Sequence, residues 1–354
     1  MRLYQTTTEF NCGVDLHARQ MYVCTVDRTG QVLVHRNIKD NDFEFFLRLM
    51  APYRHSLTVC SECCFCWYWL ADACAEANIP FVLAHALYLR SIQADKKKND
   101  RVDSEKIAHL LRTNMIPYAY VYPRGMRPLR TLLRRRMAYV WQRAQLVGWQ
   151  TCGLIAEGKP EAEIQAGSRE KWEQELLQRH DNEYLKLMVQ SDLALIREYD
   201  RQIDLLERAI NTAAKKDRWR DLHVLLSVPG VGKVLSMTLL YEIGEISRFD
   251  RHQDFCSYAR LIKGSVESAG VIKGMRGGKM GNGYLKWAFK EAVMVAKRAH
   301  PDIRAMAQRL ERRHGRQTTN AILAHRLARA VYYMLKHGMT FSMELFNQRT
   351  EHAA

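Results

Sequence analysis

The sequence lacks any long uninterrupted apolar segment. Its longest apolar run, at residues 63–70, is far shorter than the roughly eighteen residues that cross a bilayer. The opening segment, MRLYQTTTEFNC, contains no apolar stretch of the kind found in secretory signals. The nine cysteines have no regular spacing, which favours reduced thiols over a disulfide framework. Together these absences predict a cytoplasmic protein.

Acidic residues are scarce in two parts of the chain. Overall, 54 Lys and Arg stand against 38 Asp and Glu, which gives a formal net charge of +16. Residues 90–143 contain fourteen basic and four acidic residues, and residues 260–316 contain the same numbers. Concentrated positive charge attracts polyanions, because neutralised phosphates release their counterions. We therefore expect a nucleic-acid partner; the alternative is a solvated basic face without one.

The amino-terminal part predicts an α/β layer fold. Apolar and polar residues alternate through residues 11–38, which predicts a meander of strands. Asn41 is a candidate N-cap for a helix through residues 43–50, a fourth strand ends at Glu62, and a fifth follows at residues 81–85. Strands that alternate with helices after an opening meander are typical of a layered α/β domain.

Helical periodicity dominates from Pro128 onward. The first helix is rich in arginine, and a later one repeats apolar residues at intervals of three and four up to Ile210. This heptad spacing predicts a helical hairpin or an intermolecular coiled coil, and an amphipathic helix packed on its own domain is an equal alternative. We expect three regions: a catalytic α/β domain at residues 1–125, a helical coiled-coil region at 126–220 and a mainly helical carboxy-terminal domain at 221–354.

A Pro-Gly-x-Gly turn at residues 229–232 separates two apolar helical segments. It resembles a helix-hairpin-helix element, which binds phosphate through backbone N–H groups at a helix start; a plain turn between helices is the alternative. The basic segment at residues 270–282 predicts a glycine-rich loop. It is not a Walker P-loop, because it lacks that spacing and a preceding strand. Helices at residues 284–338 close the chain.

Four carboxylates stand where a two-metal site requires them. Asp15 interrupts an apolar strand, and Glu62 ends the fourth strand, which can lie beside the first. Asp100 and Asp103 are three residues apart at a helix start, so both project from one face. Hard divalent cations prefer carboxylate oxygens, and a pair of Mg²⁺ ions about 4 Å apart assists phosphodiester chemistry. These four acids are therefore candidate metal ligands and catalytic residues.

Simpler interpretations exist for some of these residues. Asp100 and Asp103 are also suitable helix N-caps, and Glu62 suits a surface strand end. A zinc site is disfavoured, although Cys60 and Cys63 are spaced like zinc ligands, because no second matching ligand pair follows. We interpret the clustered thiols as small buried hydrophobic groups.

The segments GVDLH, the strand ending Ser-Glu, and NDRVDSEKIAHLL resemble the DEDD motif of a bacterial insertion-sequence transposase family. This is the IS110 type, with the pilin-gene invertases as relatives. The resemblance implies a RuvC-like domain of RNase H fold, with Asp15, Glu62, Asp100 and Asp103 as its four acids.

The resemblance continues into the carboxy-terminal half. There the family carries Tyr-x-Gly-Leu-x-Pro, Ser-Gly and Lys-x-Gly-Asn elements followed by Leu-Arg. The matching residues in this chain are Tyr258, Leu261, Ser268, Lys279, Gly281, Asn282, Leu285 and Lys286. The chain departs from the pattern where Arg260 and Ala269 replace glycines and Lys263 replaces the proline.

The resemblance implies that Ser268 is a nucleophile, activated by the acid site across a domain or subunit boundary. Ser265 is a rival candidate, although the interval to the Lys-x-Gly-Asn element favours Ser268. From the residues alone, Ser268 is an ordinary loop serine, because the sequence near it shows no Ser-His-Asp arrangement that would activate its hydroxyl.

The resemblance also implies particular partners. These are donor and target DNA, a structured non-coding bridge RNA that guides recombination, and further copies of the chain in a dimer that assembles to a tetramer. A nucleoid-associated location follows from the same resemblance. Exposed aromatics can stack on unpaired bases, although we favour core packing for Trp141. Candidate nucleic-acid contacts are Lys96, Lys97, Lys98, Arg101, Arg130, Arg134, Arg135, Arg136, Gly230, Gly232, Lys233, Lys273, Arg276, Lys279 and Asn282.

Three functions compete at this point. The first is an RNA-guided DNA recombinase that uses the acids and Ser268. The second is a metal-dependent nuclease that resolves branched DNA with water as the nucleophile. The third is a nucleic-acid-binding protein without catalytic activity, which predicts that Asp15→Asn and Glu62→Gln change nothing.

Overall fold

The computed structural model describes residues 2–92, 99–156, 169–178, 180–214, 218–262, 264–276 and 280–347. The predicted contacts Lys96, Lys97, Lys98 and Lys279 lie outside these residues. The chain divides into two compact units, Met1–Arg124 and Gly125–Ala354. Within the described residues, none of the helices is long and apolar enough to cross a membrane.

The first unit is built on a mixed five-stranded sheet. Its strands are β1 (Phe10–Leu16), β2 (Gln20–Val26), β3 (Val32–Lys39), β4 (Leu57–Glu62) and β5 (Phe81–Ala84). They lie in the order β3-β2-β1-β4-β5. The first three strands are antiparallel, whereas β4 runs parallel to both β1 and β5. The predicted meander and α/β class are confirmed, and the arrangement is consistent with a RuvC-like domain.

Four helices accompany this sheet: α1 (Phe43–Met50), α2 (Trp67–Glu76), α3 (Ala86–Ile92) and α4 (Asp100–Arg112). The predicted N-cap of α1 was wrong by one residue. The carboxylate of Asp42 accepts the backbone N–H of Phe45, while Asn41 has a left-handed φ of 52°. A capping residue needs an extended backbone, and Asp42, with a ψ of 95°, has one.

Helix α4 packs unusually close to the centre of the sheet. A Cβ atom at Gly13 would lie 2.2 Å from the carbonyl oxygen of Ser104 and 2.4 Å from the backbone nitrogen of Ala108. Only glycine tolerates this approach of two backbones. On the next strand, Cys60 pairs with Gly13 and packs in the cluster that includes Ile107 of α4. The helix therefore covers the face of the sheet to which Gly13 and Cys60 belong.

We expect Gly13→Ala to destabilise the first unit by about 3 kcal/mol, because the methyl group overlaps backbone atoms that cannot move aside. Guanidinium denaturation followed by circular dichroism measures the loss. Gly148→Ala is the control, because its Cβ meets nothing within 4 Å and alanine favours the surrounding helix. An unchanged midpoint for Gly13→Ala would contradict the close packing of α4.

The second unit is mainly helical. Its helices are α5 (Arg127–Ala156), α6 (Arg169–Gln178), α7 (Glu183–Ala214), α8 (Trp219–Leu226), α9 (Lys233–Ile243), α10 (His252–Tyr258), α11 (Gly283–Ala299), α12 (Pro301–His314), α13 (Arg316–His337) and α14 (Met343–Asn347). The predicted glycine-rich loop is partly wrong. Its first half forms β7 (Val271–Arg276), which pairs antiparallel with β6 (Gly264–Ser268). Alternating β-branched and small residues suit such a hairpin.

The long helices α5 and α7 pack against each other within the chain. Their contact carries a ladder of polar pairs at intervals of about two helical turns: Arg136 with Glu207, Arg143 with Asp200, and Gln150 with Asp192. The pairs run in opposite directions along the two helices, so the helices are antiparallel. Apolar residues of the predicted seam, including Val189 and Ile196, are buried. The structure shows that these two helices pack antiparallel within the chain, and the intermolecular coiled coil stays a prediction.

Candidate active site

Asp15 and Glu62 lie side by side at the carboxyl ends of two parallel strands. Val14 on β1 pairs with Ser61 on β4, so Asp15 and Glu62 are the next residues along each strand. Side chains on a strand alternate between faces. Asp15 therefore shares the face of Gly13, and Glu62 shares the face of Cys60. This is the face that α4 covers.

Helix α4 brings the other two acids to the same place. Its N-cap is Asn99, whose side-chain oxygen accepts the backbone N–H of Arg101, and both Asp100 and Asp103 lie in its first turn. The side chain of Asp103 is 20% exposed and lies 3.8 Å from the ammonium of Lys106. Because α4 crosses β1 at Gly13, two residues before Asp15, its first turn lies over the strand ends.

A histidine completes the group. The Nε2 atom of His17 lies 3.2 Å from Oδ2 of Asp15 and 3.5 Å from Oδ2 of Asp100. One potential ligand atom from each of these three residues lies within 4.8 Å of the others. His17 is the last residue of the GVDLH segment, and the sequence pattern predicts no role for it. Its position two residues after Asp15 was the available signal, since the turn after β1 brings it back to the strand end.

The surroundings of Asp15 shift the pKa of its carboxyl group. Burial is the largest cause and raises the pKa of Asp15 above its usual value. The neighbouring His17 lowers this pKa, while the negative charges of Asp100 and Asp103 raise it further. Burial and nearby negative charges disfavour the ionised form of a carboxyl group, and a nearby positive charge favours it. Positive charge placed beside Asp15 would therefore favour its carboxylate form.

The residues present fit a divalent metal ion. Asp15 and Asp100 offer carboxylate oxygens, the ligands that hard cations prefer, and His17 offers a nitrogen at the same point. Glu62 and Asp103 lie on the same side of the sheet, where they can add oxygens. The interpretation of the clustered thiols as buried is confirmed for Cys60 and wrong for the others, since Cys63 is exposed and Cys64 and Cys66 are partly exposed, all as free thiols.

Ser268 lies at the tip of the β6–β7 hairpin in the second unit. It pairs with Val271 across a two-residue turn of Ala269 and Gly270, and its side chain is exposed. Both turn residues have positive φ angles, 53° and 76°, as a type I′ turn requires. The rival Ser265 pairs with Met275 inside the hairpin. Ser268 is thus presented at a sharp, exposed corner.

A buried polar network anchors the segment after this hairpin. Asn282 caps α11 by accepting the backbone N–H groups of Tyr284 and Leu285, and its amide donates to Glu242 at 2.7 Å. Glu242 is 1% exposed and also accepts hydrogen bonds from Arg130 and Arg134. Burial alone raises the pKa of Glu242, but these partners outweigh it and the pKa is lowered.

Two family models match the chain and together cover more than half of it. A transposase model of the IS110 DEDD type matches residues 12–148, and the model described as the IS116/IS110/IS902 transposase family matches residues 222–308. The chain belongs to this transposase family. It is therefore an insertion-sequence enzyme that cuts and rejoins DNA, and its family implies the use of a divalent metal. No curated protein matches the chain.

At two positions where the family pattern has glycine, this transposase has another residue in a backbone conformation that favours glycine. Arg260 and Ala269 replace family glycines, and they have positive φ angles of 55° and 53°. Glycine adopts this left-handed region without strain, whereas other residues are strained there by about 1–2 kcal/mol. Arg260 gains a compensating contact, because its Nε donates to the carbonyl of Gly281 at 2.8 Å. Ala269 has no side chain that can do the same.

The predicted nucleic-acid contacts fall into two groups. One group is exposed: Arg101, Arg135, Gly232, Lys233 and Lys273. The other is engaged within the fold of the transposase: Arg130 and Arg134 with Glu242, Arg136 with Glu207, Asn282 in the cap of α11, and Gly230 against the backbone of Ala292. Arg276 lies in β7. The exposed group is the better source of phosphate contacts, since its side chains and the backbone of Gly232 are accessible to a nucleic acid.

The expectation that Trp141 packs in the core was wrong. Trp141 is 49% exposed, and its ring stacks on that of Tyr284 at an interplanar angle of 12°. The guanidinium of Arg134 lies over the same Tyr284 ring, 4.3 Å from its centroid. The exposure arises because Trp141 faces away from α7, the helix that buries the opposite side of α5.

We expect Ala269→Gly to stabilise the hairpin by up to about 1 kcal/mol, because relief of backbone strain exceeds the added freedom of the unfolded chain. Hydrogen exchange of the β6 and β7 amides should slow by up to about fivefold. Arg260→Gly is the comparison: it relieves similar strain but loses the bond to Gly281, so its gain should be smaller. Faster exchange in Ala269→Gly would contradict the left-handed conformation.

Proposed function

We propose that this transposase exchanges DNA strands through a transient phosphoserine link, with Asp15, Glu62, Asp100 and Asp103 as its metal-binding acids and Ser268 as its nucleophile. The convergence of Asp15, Asp100 and Asp103 beside the end of β4 is the observation that carries the metal site. These acids come from two separate segments of the chain, β1 and the start of α4, and Glu62 at the end of β4 adds a third. Mg²⁺ is the proposed ion, since carboxylates are its preferred protein ligands.

The chemistry conserves phosphodiester bonds. The oxygen of Ser268 forms a bond to phosphorus as one backbone P–O bond breaks, and the released deoxyribose oxygen takes up a proton. The serine proton leaves to a base or to solvent. A deoxyribose hydroxyl of another strand then attacks the phosphoserine and restores the serine. Because each bond broken is replaced by one formed, strand exchange needs no nucleotide cofactor.

The acids supply the electrostatic part of this reaction. The carboxylates would hold a divalent ion at the carboxyl ends of β1 and β4, and such an ion would supply stabilisation of negative charge on phosphodiester oxygens. Partial burial of Asp15 keeps bulk water from competing freely. Because Ser268 lies at an exposed hairpin tip, its hydroxyl can approach a phosphate of a DNA strand. We propose that the acids and the serine that act together belong to different subunits of a dimer or tetramer.

We further propose that a structured non-coding RNA guides the enzyme. Exposed cations such as Arg101 and Lys233 suit the backbone of either nucleic acid, and Lys233 stands at the uncapped start of α9. The exposed Trp141 offers a ring on which an unpaired base can stack. These cations and Trp141 can bind a nucleic-acid backbone and stack on a base, and neither kind of contact depends on base sequence.

We expect Ser268→Ala to abolish strand exchange, with a loss of at least about a thousandfold. The deciding measurement is a denaturing gel of enzyme incubated with nicked, labelled DNA, on which wild-type protein should carry a covalent DNA adduct. Ser265→Ala is the matched control and should keep the adduct. If Ser268→Ala keeps it and Ser265→Ala loses it, the nucleophile is Ser265. Cutting without any adduct would point instead to hydrolysis by water.

RNA guidance predicts that one discrete RNA species copurifies with the full-length protein expressed from its native locus. Sequencing of the bound RNA should return a structured transcript with segments complementary to donor and target DNA. Arg135→Ala removes an exposed charge on α5 and should lower the yield of this RNA. Recovery of only random cellular RNA, in proportion to its abundance, would contradict RNA guidance.

A further inference from the structure

We propose that His17 is a third ligand of the metal held by Asp15 and Asp100, and that its imidazole makes this site bind Mn²⁺ more tightly than Mg²⁺. The inference rests on the proposed metal site and specifies its ligand set. The DEDD pattern names four acids and no histidine, so this role of His17 is additional to it.

The backbone of His17 is held in place. Its N–H donates to the carbonyl of Gln20 at 2.9 Å, which closes the turn between β1 and β2. Its carbonyl accepts the side-chain amide of Asn41 at 3.1 Å. The imidazole is 48% exposed, so it reaches the acids from the solvent side without core packing around it. The ring is therefore positioned by the turn and free to bind an ion that enters from solvent.

The distances match the spacing of metal ligands. Atoms about 2.1 Å from a cation lie about 3 Å apart at adjacent octahedral positions and about 4.2 Å apart at opposite ones. The Nε2 atom of His17 is 3.2 Å from Asp15 and 3.5 Å from Asp100. All three donor atoms lie within 4.8 Å of one another. Small movements of the more exposed His17 and Asp100 side chains would bring the three donor atoms into one coordination sphere.

A simple hydrogen-bond relay does not explain the contact. In a relay, one ring nitrogen serves each carboxylate, with Nδ1 facing one and Nε2 the other. Here the same nitrogen, Nε2, faces both Asp15 and Asp100. A single N–H can point well at only one acceptor. Two carboxylate oxygens and one nitrogen that lie within 4.8 Å of one another are a donor set that a divalent ion can bind.

Other histidines of the first unit serve as internal comparisons. His109 lies on α4 only a few turns from Asp100, yet its Nε2 faces Glu105 at 4.0 Å. His35 faces the other oxygen of Glu105, also at 4.0 Å, and its Nε2 contacts the backbone carbonyl of Arg101. Each of these two histidines meets one carboxylate. His17 is distinguished from them by meeting two.

An imidazole ligand changes which ion the site prefers. Mg²⁺ favours oxygen ligands and retains its water, whereas affinity for nitrogen ligands rises along the series that begins with Mn²⁺. A site of two carboxylates and one imidazole therefore gains more from His17 with Mn²⁺ than with Mg²⁺. The preference should become smaller when the ring is removed.

The test is pulsed electron paramagnetic resonance of the full-length protein with one equivalent of Mn²⁺. Nuclear modulation from a coordinated ¹⁴N is expected in the wild type and in the control His109→Ala, and it should vanish in His17→Ala. Calorimetry should show Mn²⁺ binding weakened at least about tenfold in His17→Ala. Mg²⁺ binding should change much less. Circular dichroism checks that each variant is folded.

Several results would overturn the inference. They are the absence of ¹⁴N modulation in the wild type, its persistence in His17→Ala, and unchanged Mn²⁺ affinity in that variant. Asp15→Asn separates this failure from failure of the proposed function. If Asp15→Asn abolishes metal binding while His17→Ala has no effect, the acid site stands and only the histidine ligand is rejected. If Asp15→Asn binds metal normally, the acid site itself is rejected.

Discussion

The close contact between α4 and the sheet at Gly13 is the constraint on which the candidate site depends. A side chain at this position would hold the helix away from β1 by the thickness of a methyl group. The first turn of α4, with Asp100 and Asp103, would then lie farther from Asp15. The absence of a Cβ atom at Gly13 is thus a requirement of the proposed metal site at the strand ends, and burial raises the pKa of Asp15.

Much of this site was predictable because strand ends and helix starts have local signatures. An aspartate inside an apolar strand and two acids in a helical first turn are visible in the sequence, and so is the strand that ends at Glu62. The role of Gly13 was not predictable, since it depends on which residues of α4 cross the strand. His17 was missed for a similar reason, because only the turn after β1 brings its ring back toward Asp15.

In the second unit, arginine content was a poor guide to surface charge. The helix α5 resembles a basic nucleic-acid-binding face in the sequence, but Arg130 is buried against Glu242, an acid more than a hundred residues away. Pairing of such distant residues has no local signature. The glycine positions of the family pattern were a better guide to backbone conformation. Arg260 and Ala269 stand at two of them, and both have the positive φ angles that glycine adopts without strain. The hairpin that presents Ser268 was hidden by its glycines, which resemble those of a loop.

The polar ladder between α5 and α7 also determines how the hairpin can misassemble. Because its rungs are about one heptad apart, sliding one helix by seven residues still pairs Arg143 with Glu207. That slip, however, leaves Arg136 opposite the buried Ala214 and removes the partner of Asp192. An uncompensated charge in such a setting is costly, so the unequal ends of the ladder disfavour this slip. The spacing of the polar pairs thus favours the observed alignment of the two long helices over the slipped one.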